Sequence, residues 1–363
     1  MNQQIRLIFC MLIISINVLS AQEWIWQSIK PGNYQPGYKT IITSSFQRPY
    51  TSNPLSPRIM PLHIWYPSQS GSKSRMKFID YVKSDQNITW TSSDADKIIQ
   101  NLAKQYVDSA KVDNVAEKLA GIKTSSVLNA KHVAGKFPVL LMGNGLTSPG
   151  FVSSLMAEYF SSHGYVVVCY PSLPENSSSE FGFNQRGILN QISDVEMVYD
   201  EITKLPFCDK ENIALIGWSV GGASQILYQM KHKIAKAVVS LDAASQYTYG
   251  KDLIVNSVYY DSTVFSTPFL NLSAAGPSRF IVPRNTFFLD SLVLNKKQIA
   301  FSILSHSHFV SFNQYLEMID RQDQKLKDSY EKMCEVIHLF LDAILLNKME
   351  SKIKLVSVPP QID

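Results

Sequence analysis

From Phe137 onward the sequence repeats one unit, a short apolar run followed by a turn and a helix-spaced segment, and this alternation leaves few folds open. The apolar runs cover residues 137–142, 165–170, 213–216, 235–241, 268–273 and 298–304. Helical spacing follows over residues 151–162, 188–205, 219–231 and 328–346. Runs lacking polar alternation suit strands buried on both faces, the situation in a mostly parallel sheet with helices on each side. The expectation is an α/β fold of that kind.

Two β-rich, partly alternating segments, 38–46 and 58–66, precede the repeat and are separated by a Pro/Ser/Asn-rich stretch. They predict an antiparallel pair at the start of the sheet. Between about 76 and 136 the apolar spacing is helical, as in Ile98, Leu102, Tyr106 and Val107, then Val115, Leu119 and Ile122. This segment is expected to be a helical insertion that partly covers a site.

Residues 1–21 have the layout of a secretory signal peptide, with Arg6, an apolar stretch over 7–19, then Ser20 and Ala21. The stretch is shorter than the ~20 residues that cross a bilayer. A secreted or periplasmic location is expected, with no stable membrane insertion after signal removal. Residues 22–363 are then expected to form one domain, since a composition 45% apolar can bury a large core.

Cys169, Cys208 and Cys334 would survive processing, an odd number that implies no disulfide framework. Their surroundings suggest small buried hydrophobes. Neither Cys-x-x-Cys nor His-x-x-x-His spacing suggests a metal, and no cofactor is expected. A net charge of +4 with dispersed lysines lacks the basic stripe of a nucleic-acid binder.

The strongest chemical signal is Gly217-Trp218-Ser219-Val220-Gly221, placed between an apolar strand and a helix start. A sharp turn there lifts a serine hydroxyl above the sheet, with glycines on either side giving room for neighbouring backbone. The new helix also aims free N–H groups at a developing oxyanion. Ser219 is the candidate nucleophile, with Val220 N–H as one oxyanion donor. The loop Gly143-Asn144-Gly145-Leu146-Thr147-Ser148 follows an earlier strand, where the second donor belongs, and Leu146 N–H is assigned to it.

A histidine after the last strand should serve as base, and His306 and His308 both lie directly after residues 298–304. His232 sits among lysines and His338 on an apolar helical stripe, so solvated and packing roles are expected for them. For the acid, Asp242 ends the strand after the nucleophile helix. The following strand has no carboxylate at its tip, and Asp290 falls in a helical pattern.

Over roughly 138–312 these residues resemble the platelet-activating-factor acetylhydrolase family of lipases, within the α/β-hydrolase superfamily, and more loosely dienelactone-hydrolase-like proteins. The resemblance rests on Gly145-Leu146, His163-Gly164-Tyr165, the nucleophile turn and Leu241-Asp242-Ala243. It implies an α/β-hydrolase fold and a phenylalanine three residues after the base, which selects His306 over His308. Leu146 and Val220 match the family's oxyanion donors. Two positions depart from the pattern: Trp218 stands where the family often has histidine, and Asn144 precedes Gly145 in place of the usual histidine. A serine nucleophile also argues against dienelactone hydrolysis.

The function expected is hydrolysis of a small-molecule ester or lipid by a Ser219–His306–Asp242 triad. Its alternatives are a serine peptidase or amidase on the same fold and an inactive, hydrolase-like binding protein.

Overall fold

A computed structural model describes residues 29–45, 57–71, 74–84, 95–104, 112–174, 182–261, 263, 265–276, 289–291, 295–321 and 323–363. The expected signal peptide, residues 1–21, lies outside these residues.

The described residues build one ten-stranded sheet. Strands β1 (Gln35–Ser45) and β2 (Arg58–Ser68) form the expected antiparallel pair, Tyr38 opposite Trp65. The others are β3 (Val127–Leu128), β4 (Phe137–Gly143), β5 (Val166–Tyr170), β6 (Cys208–Trp218), β7 (Ala237–Leu241), β8 (Phe269–Ala274), β9 (Lys296–Phe301) and β10 (Gln361–Ile362). Their spatial order is β10-β9-β8-β7-β6-β4-β5-β2-β1-β3. All pairings from β5 across to β10 are parallel, while β2 meets β5 antiparallel.

The apolar runs cover both faces of this sheet. Along β4, Leu140 and Met142 join one core while Val139 and Leu141 join the other, and β6 divides Ala214 and Ile216 from Ile213 and Leu215 in the same way. Helices α4 (Ser154–Ser162), α8 (Ser311–Leu316) and α9 (Gln324–Leu345) pack on the first face. Helices α5 (Gln185–Ile202), α6 (Val220–His232) and α7 (Thr248–Val255) pack on the second. A final helix, α10 (Met349–Ser357), leads into β10. This strand order with helices on both faces is the α/β-hydrolase fold.

The insertion begins with α1 (Phe78–Ser84), α2 (Ala95–Lys104) and α3 (Val112–Gly121), which join the core beside α4. The Phe78 ring lies 4.8 Å from that of Tyr315 and 5.9 Å from that of Phe151. Beneath it the fully buried Glu158 of α4 accepts bonds from Ser125 N (3.1 and 3.0 Å), Ser126 Oγ (2.9 Å) and the Tyr81 hydroxyl. Burial raises the pKa of this carboxyl, and the hydrogen bonds oppose that shift.

Helical structure does not persist to residue 136 as expected. After Gly121 the chain turns extended, with Thr124 N bonding Met76 O at 2.9 Å and β3 pairing with β1. The stretch Thr124-Ser125-Ser126-Val127 lacks helical apolar spacing, and Ser125 N donates to Glu158 while Ser126 N donates to Thr124 Oγ1 at 3.4 Å. These contacts make the described part of the insertion a layer packed against α4 and α8.

Cys169, Cys208 and Cys334 are free and buried, and burial pushes the Cys208 thiol up to about 12. On the other face, Arg58 of β2 forms a bidentate pair with Asp194 of α5, Nε–Oδ1 2.6 Å and Nη2–Oδ2 2.7 Å, both residues buried. The same guanidinium donates to Pro174 O (2.9 Å) and Leu173 O (3.2 Å), tying the segment after β5 to the sheet. Asp194→Ala removes the carboxylate that balances a buried cation, so chemical denaturation should show a loss of about 3–5 kcal/mol. The double variant Arg58→Met/Asp194→Leu should recover most of it, because no buried charge remains.

Candidate active site

Strand β6 is buried through residues 213–216, and the chain reverses sharply at its end. Ser219 adopts φ 56°, ψ −126°, a conformation that costs a non-glycine residue about 1–3 kcal/mol. Backbone bonds hold it there. Ser219 N donates to Leu241 O (3.3 Å), while Ser219 O accepts from Gly222 N (3.1 Å) and Ala244 N (2.7 Å). Gly221 is required by close approach: a Cβ there would lie 2.3 Å from Gly143 O and 2.6 Å from Asn144 O.

Three sequence candidates come together at this turn. The Ser219 hydroxyl lies 3.1 Å from His306 Nε2, and His306 Nδ1 lies 2.6 Å from Asp242 Oδ2. Since an ionised carboxylate can only accept, Nδ1 carries the proton and Nε2 is left as acceptor for the serine hydroxyl. Asp242 is fully buried at the tip of β7, and its other oxygen accepts from Ala274 N at 2.9 Å. Tyr247 Oη–H donates to Oδ2 at 2.8 Å. Tyr247 was not evident as a site residue from the sequence, although it stands only five positions after Asp242, in a segment without periodic pattern.

The remaining candidates are engaged elsewhere. His308 Nδ1 accepts from Ser305 N at 3.0 Å and caps the short turn that carries His306. His232 pairs with Glu196 at 2.8 Å, and His338 contacts Tyr159 Oη (3.1 Å) and Asp342 (3.4 Å). Asp290 accepts from Gln298 Nε2 at 2.7 Å on the surface. Among the described residues, no cluster of three or more His, Cys, Asp or Glu side chains is grouped to hold a metal ion.

On the oxyanion side, Val220 N is the first amide of α6, one of those without an intrahelical acceptor. The loop bearing Leu146 comes against the turn at Gly145, where a Cβ would stand 3.0 Å from Ser219 Cβ. Asn144 closes that loop by donating from Nδ2 to Tyr170 O (3.0 Å) and Pro149 O (3.2 Å). Behind it, buried Gln191 donates to Ser172 Oγ (2.6 Å) and accepts from Ser224 Oγ.

Above Asp242 the surface is aromatic. The Tyr249 ring stacks on Tyr247 at 5.6 Å, and Phe183 meets Tyr249 edge-on at 4.9 Å. Burial, then the Asp242 charge, raises the pKa of the Tyr249 phenol. Phe183 and Tyr249 remain 38% and 36% exposed, as does Leu146 at 38%.

The sequence matches no family model and no curated protein. In three dimensions the chain is similar to a ferulic acid esterase from Streptomyces cinnamoneus, with a TM-score of 0.63 and 14% sequence identity. The superposition covers 88% of this chain and 93% of that one. At this identity the likeness is one of fold.

Gly221→Ala forces a side chain into the carbonyls of Gly143 and Asn144. It should cost about 1–3 kcal/mol or more in chemical denaturation, whereas Gly71→Ala, with open space around its Cβ position, should change little.

Proposed function

We propose that this chain is a serine ester hydrolase, with Ser219 as nucleophile, His306 as general base and Asp242 as the acid that orients it. The observation that carries this reading is the continuous hydrogen-bonded chain from Ser219 Oγ through His306 to a buried carboxylate, at a strand-to-helix turn. His306 Nε2 takes the Ser219 proton as Oγ attacks the ester carbonyl. The carbonyl electrons move onto oxygen, where the N–H groups of Leu146 and Val220 stabilise the anion. Collapse of this intermediate expels the alcohol with the proton from His306, leaving an acyl-enzyme. Water repeats the sequence and releases the acid. Asp242 remains ionised throughout and stabilises the imidazolium.

The substrate is proposed to be a small-molecule ester or lipid. Two features choose the acyl groups to test. The family resemblance points to short or oxidised-lipid acyl chains, and the name of the structural neighbour to a ferulate ester, for which the partly exposed rings of Phe183 and Tyr249 offer an aromatic surface. Secretion or periplasmic export is proposed on the layout of residues 1–21, and N-terminal sequencing of the mature protein tests it.

A fluorophosphonate probe should label the protein at Ser219, and Ser219→Ala should abolish labelling and lower turnover by several orders of magnitude. Labelling that survives this substitution would identify another nucleophile, and an unlabelled wild-type protein would favour the inactive binding protein. Hydrolysis of aminoacyl amides in preference to p-nitrophenyl esters would instead mark an amidase or peptidase.

His306→Ala should lower turnover about as far as Ser219→Ala, because the groups act as a unit, while His308→Ala should do far less. Asp242→Asn should retain the fold and lose roughly 10⁴ in kcat, as in a serine protease whose imidazole is held in the wrong tautomer. Near-normal turnover in Asp242→Asn would overturn the acid assignment.

A further inference from the structure

We infer that Trp218 is a positioning residue for the base, one rigid side chain that ties the nucleophile turn, the His306 turn and the oxyanion loop together. This inference rests on the serine-hydrolase reading above. Trp218 directly precedes Ser219, so its backbone moves with the nucleophile. Its indole Nε1–H donates to the backbone carbonyl of His306 at 3.0 Å. Its ring lies 5.2 Å from the imidazole, with 30° between the planes. On the oxyanion side it packs on Gly145, where a Cβ would come within 2.8 Å of indole Cε3 and 2.9 Å of Cζ3. Any side chain at 145 would therefore push against the indole.

The need for such a tie follows from where His306 sits. It lies beyond β9 in a four-residue 3₁₀ turn, outside the sheet ladder. Apart from the bonds of the imidazole itself to Asp242 and Ser219, bonds of the turn include Ser305 with His308, within it, and Asn313 Nδ2 to Ser307 O at 2.5 Å, onward to α8. The Trp218 bond instead fixes the His306 backbone to the nucleophile strand. The ring makes a second contribution. When His306 takes the serine proton its imidazole becomes a cation, and an aromatic face within about 6 Å favours that charge. The bond holds the base in line for proton transfer and the ring favours the charge the base then carries, so both are read in kcat.

The test compares Trp218→Phe, which keeps a ring and loses the N–H, with Trp218→Leu, which loses both. Sites are counted by fluorophosphonate titration, so misfolded protein is excluded from the rates. Trp218→Phe should lower the labelling rate and kcat per titrated site by about tenfold, the effect of one lost hydrogen bond, with KM unchanged. Trp218→Leu should fall further. In proton NMR, the low-field resonance of His306 Nδ1–H bonded to Asp242 should broaden or vanish in Trp218→Phe, a change that a purely packing role would not produce. Incorporating benzothienylalanine at position 218 replaces only the N–H at constant shape and gives the same comparison if the other variants fold poorly.

Wild-type kcat per site together with an unchanged low-field proton in these variants would overturn the inference. A raised KM at constant kcat would also overturn it, by making Trp218 a substrate contact. If wild-type protein is not labelled at Ser219 the hydrolase reading fails. The low-field proton then decides the Trp218 contact alone, which fails if that signal survives loss of the indole N–H.

Discussion

The strained backbone of Ser219 is the constraint on which the rest of the site depends. A serine held at φ 56°, ψ −126° is stable only if its own N–H and C=O are captured in that orientation. Both are captured by the chain around Asp242, the N–H by Leu241 O and the C=O by Ala244 N. Ser219 and Asp242 are therefore not independently placed. Pairing of Trp218 with Leu241 across β6 and β7 fixes the relation between the two strand tips, and Asp242 is the next residue along. The adjacent strand β8 brings no carboxylate of its own, yet it completes the acid site: Leu272 O accepts Asp242 N at 2.8 Å, and Ala274 N supplies a bond to the buried carboxylate. An acid one strand earlier thus uses the later strand as its cradle.

The same economy governs other buried polar groups. Desolvating a carboxylate, amide or guanidinium is costly unless its hydrogen-bonding capacity is met. Asp242, Asn144, Gln191, Glu158 and Arg58 each meet backbone or side-chain partners from segments distant in the sequence. Asn144 joins the oxyanion loop to β5, Gln191 joins α5 to Ser172, and Arg58 joins β2 to the segment after β5. These bonds brace the loops above the strand tips from below, so the loops depend less on their own short-range turns.

Much of this was legible in the sequence, for a physical reason. Strands buried on both faces must be continuously apolar, so β4 to β7 stood out as runs, and the turn at Ser219 demanded a glycine motif at one place. Other parts carried no local mark. Helices α7 and α8 are one to two turns long, too short for periodicity to declare itself. Helix α10 exposes Met349, Ile353 and Val356, so its apolar spacing does not point to a core. Residues 124–128 were placed with a helical insertion, but their partners are Met76, Glu158 and β1, which only the folded chain brings near. Tyr247 and Trp218 failed to show for a similar reason. One acts through Asp242, the other through a carbonyl 88 positions away, and neither residue type is diagnostic by itself.

Asn144 precedes Gly145 and presents two donors from a single amide, using both to close its loop onto β5 and Pro149. Gly145 in turn lies against Trp218. The indole then has to lie where a smaller ring would leave a gap, because it spans the distance from Gly145 to the His306 carbonyl. The asparagine and the tryptophan are thus parts of one arrangement, which sets the oxyanion loop and the base from opposite sides of a single aromatic plate. Beneath that plate the groups are buried and hydrogen-bonded; beyond it lie exposed Leu146, Phe183 and Tyr249. The hydrogen bonds are concentrated around Ser219, His306 and Asp242, while the rim side chains keep about a third of their surface open.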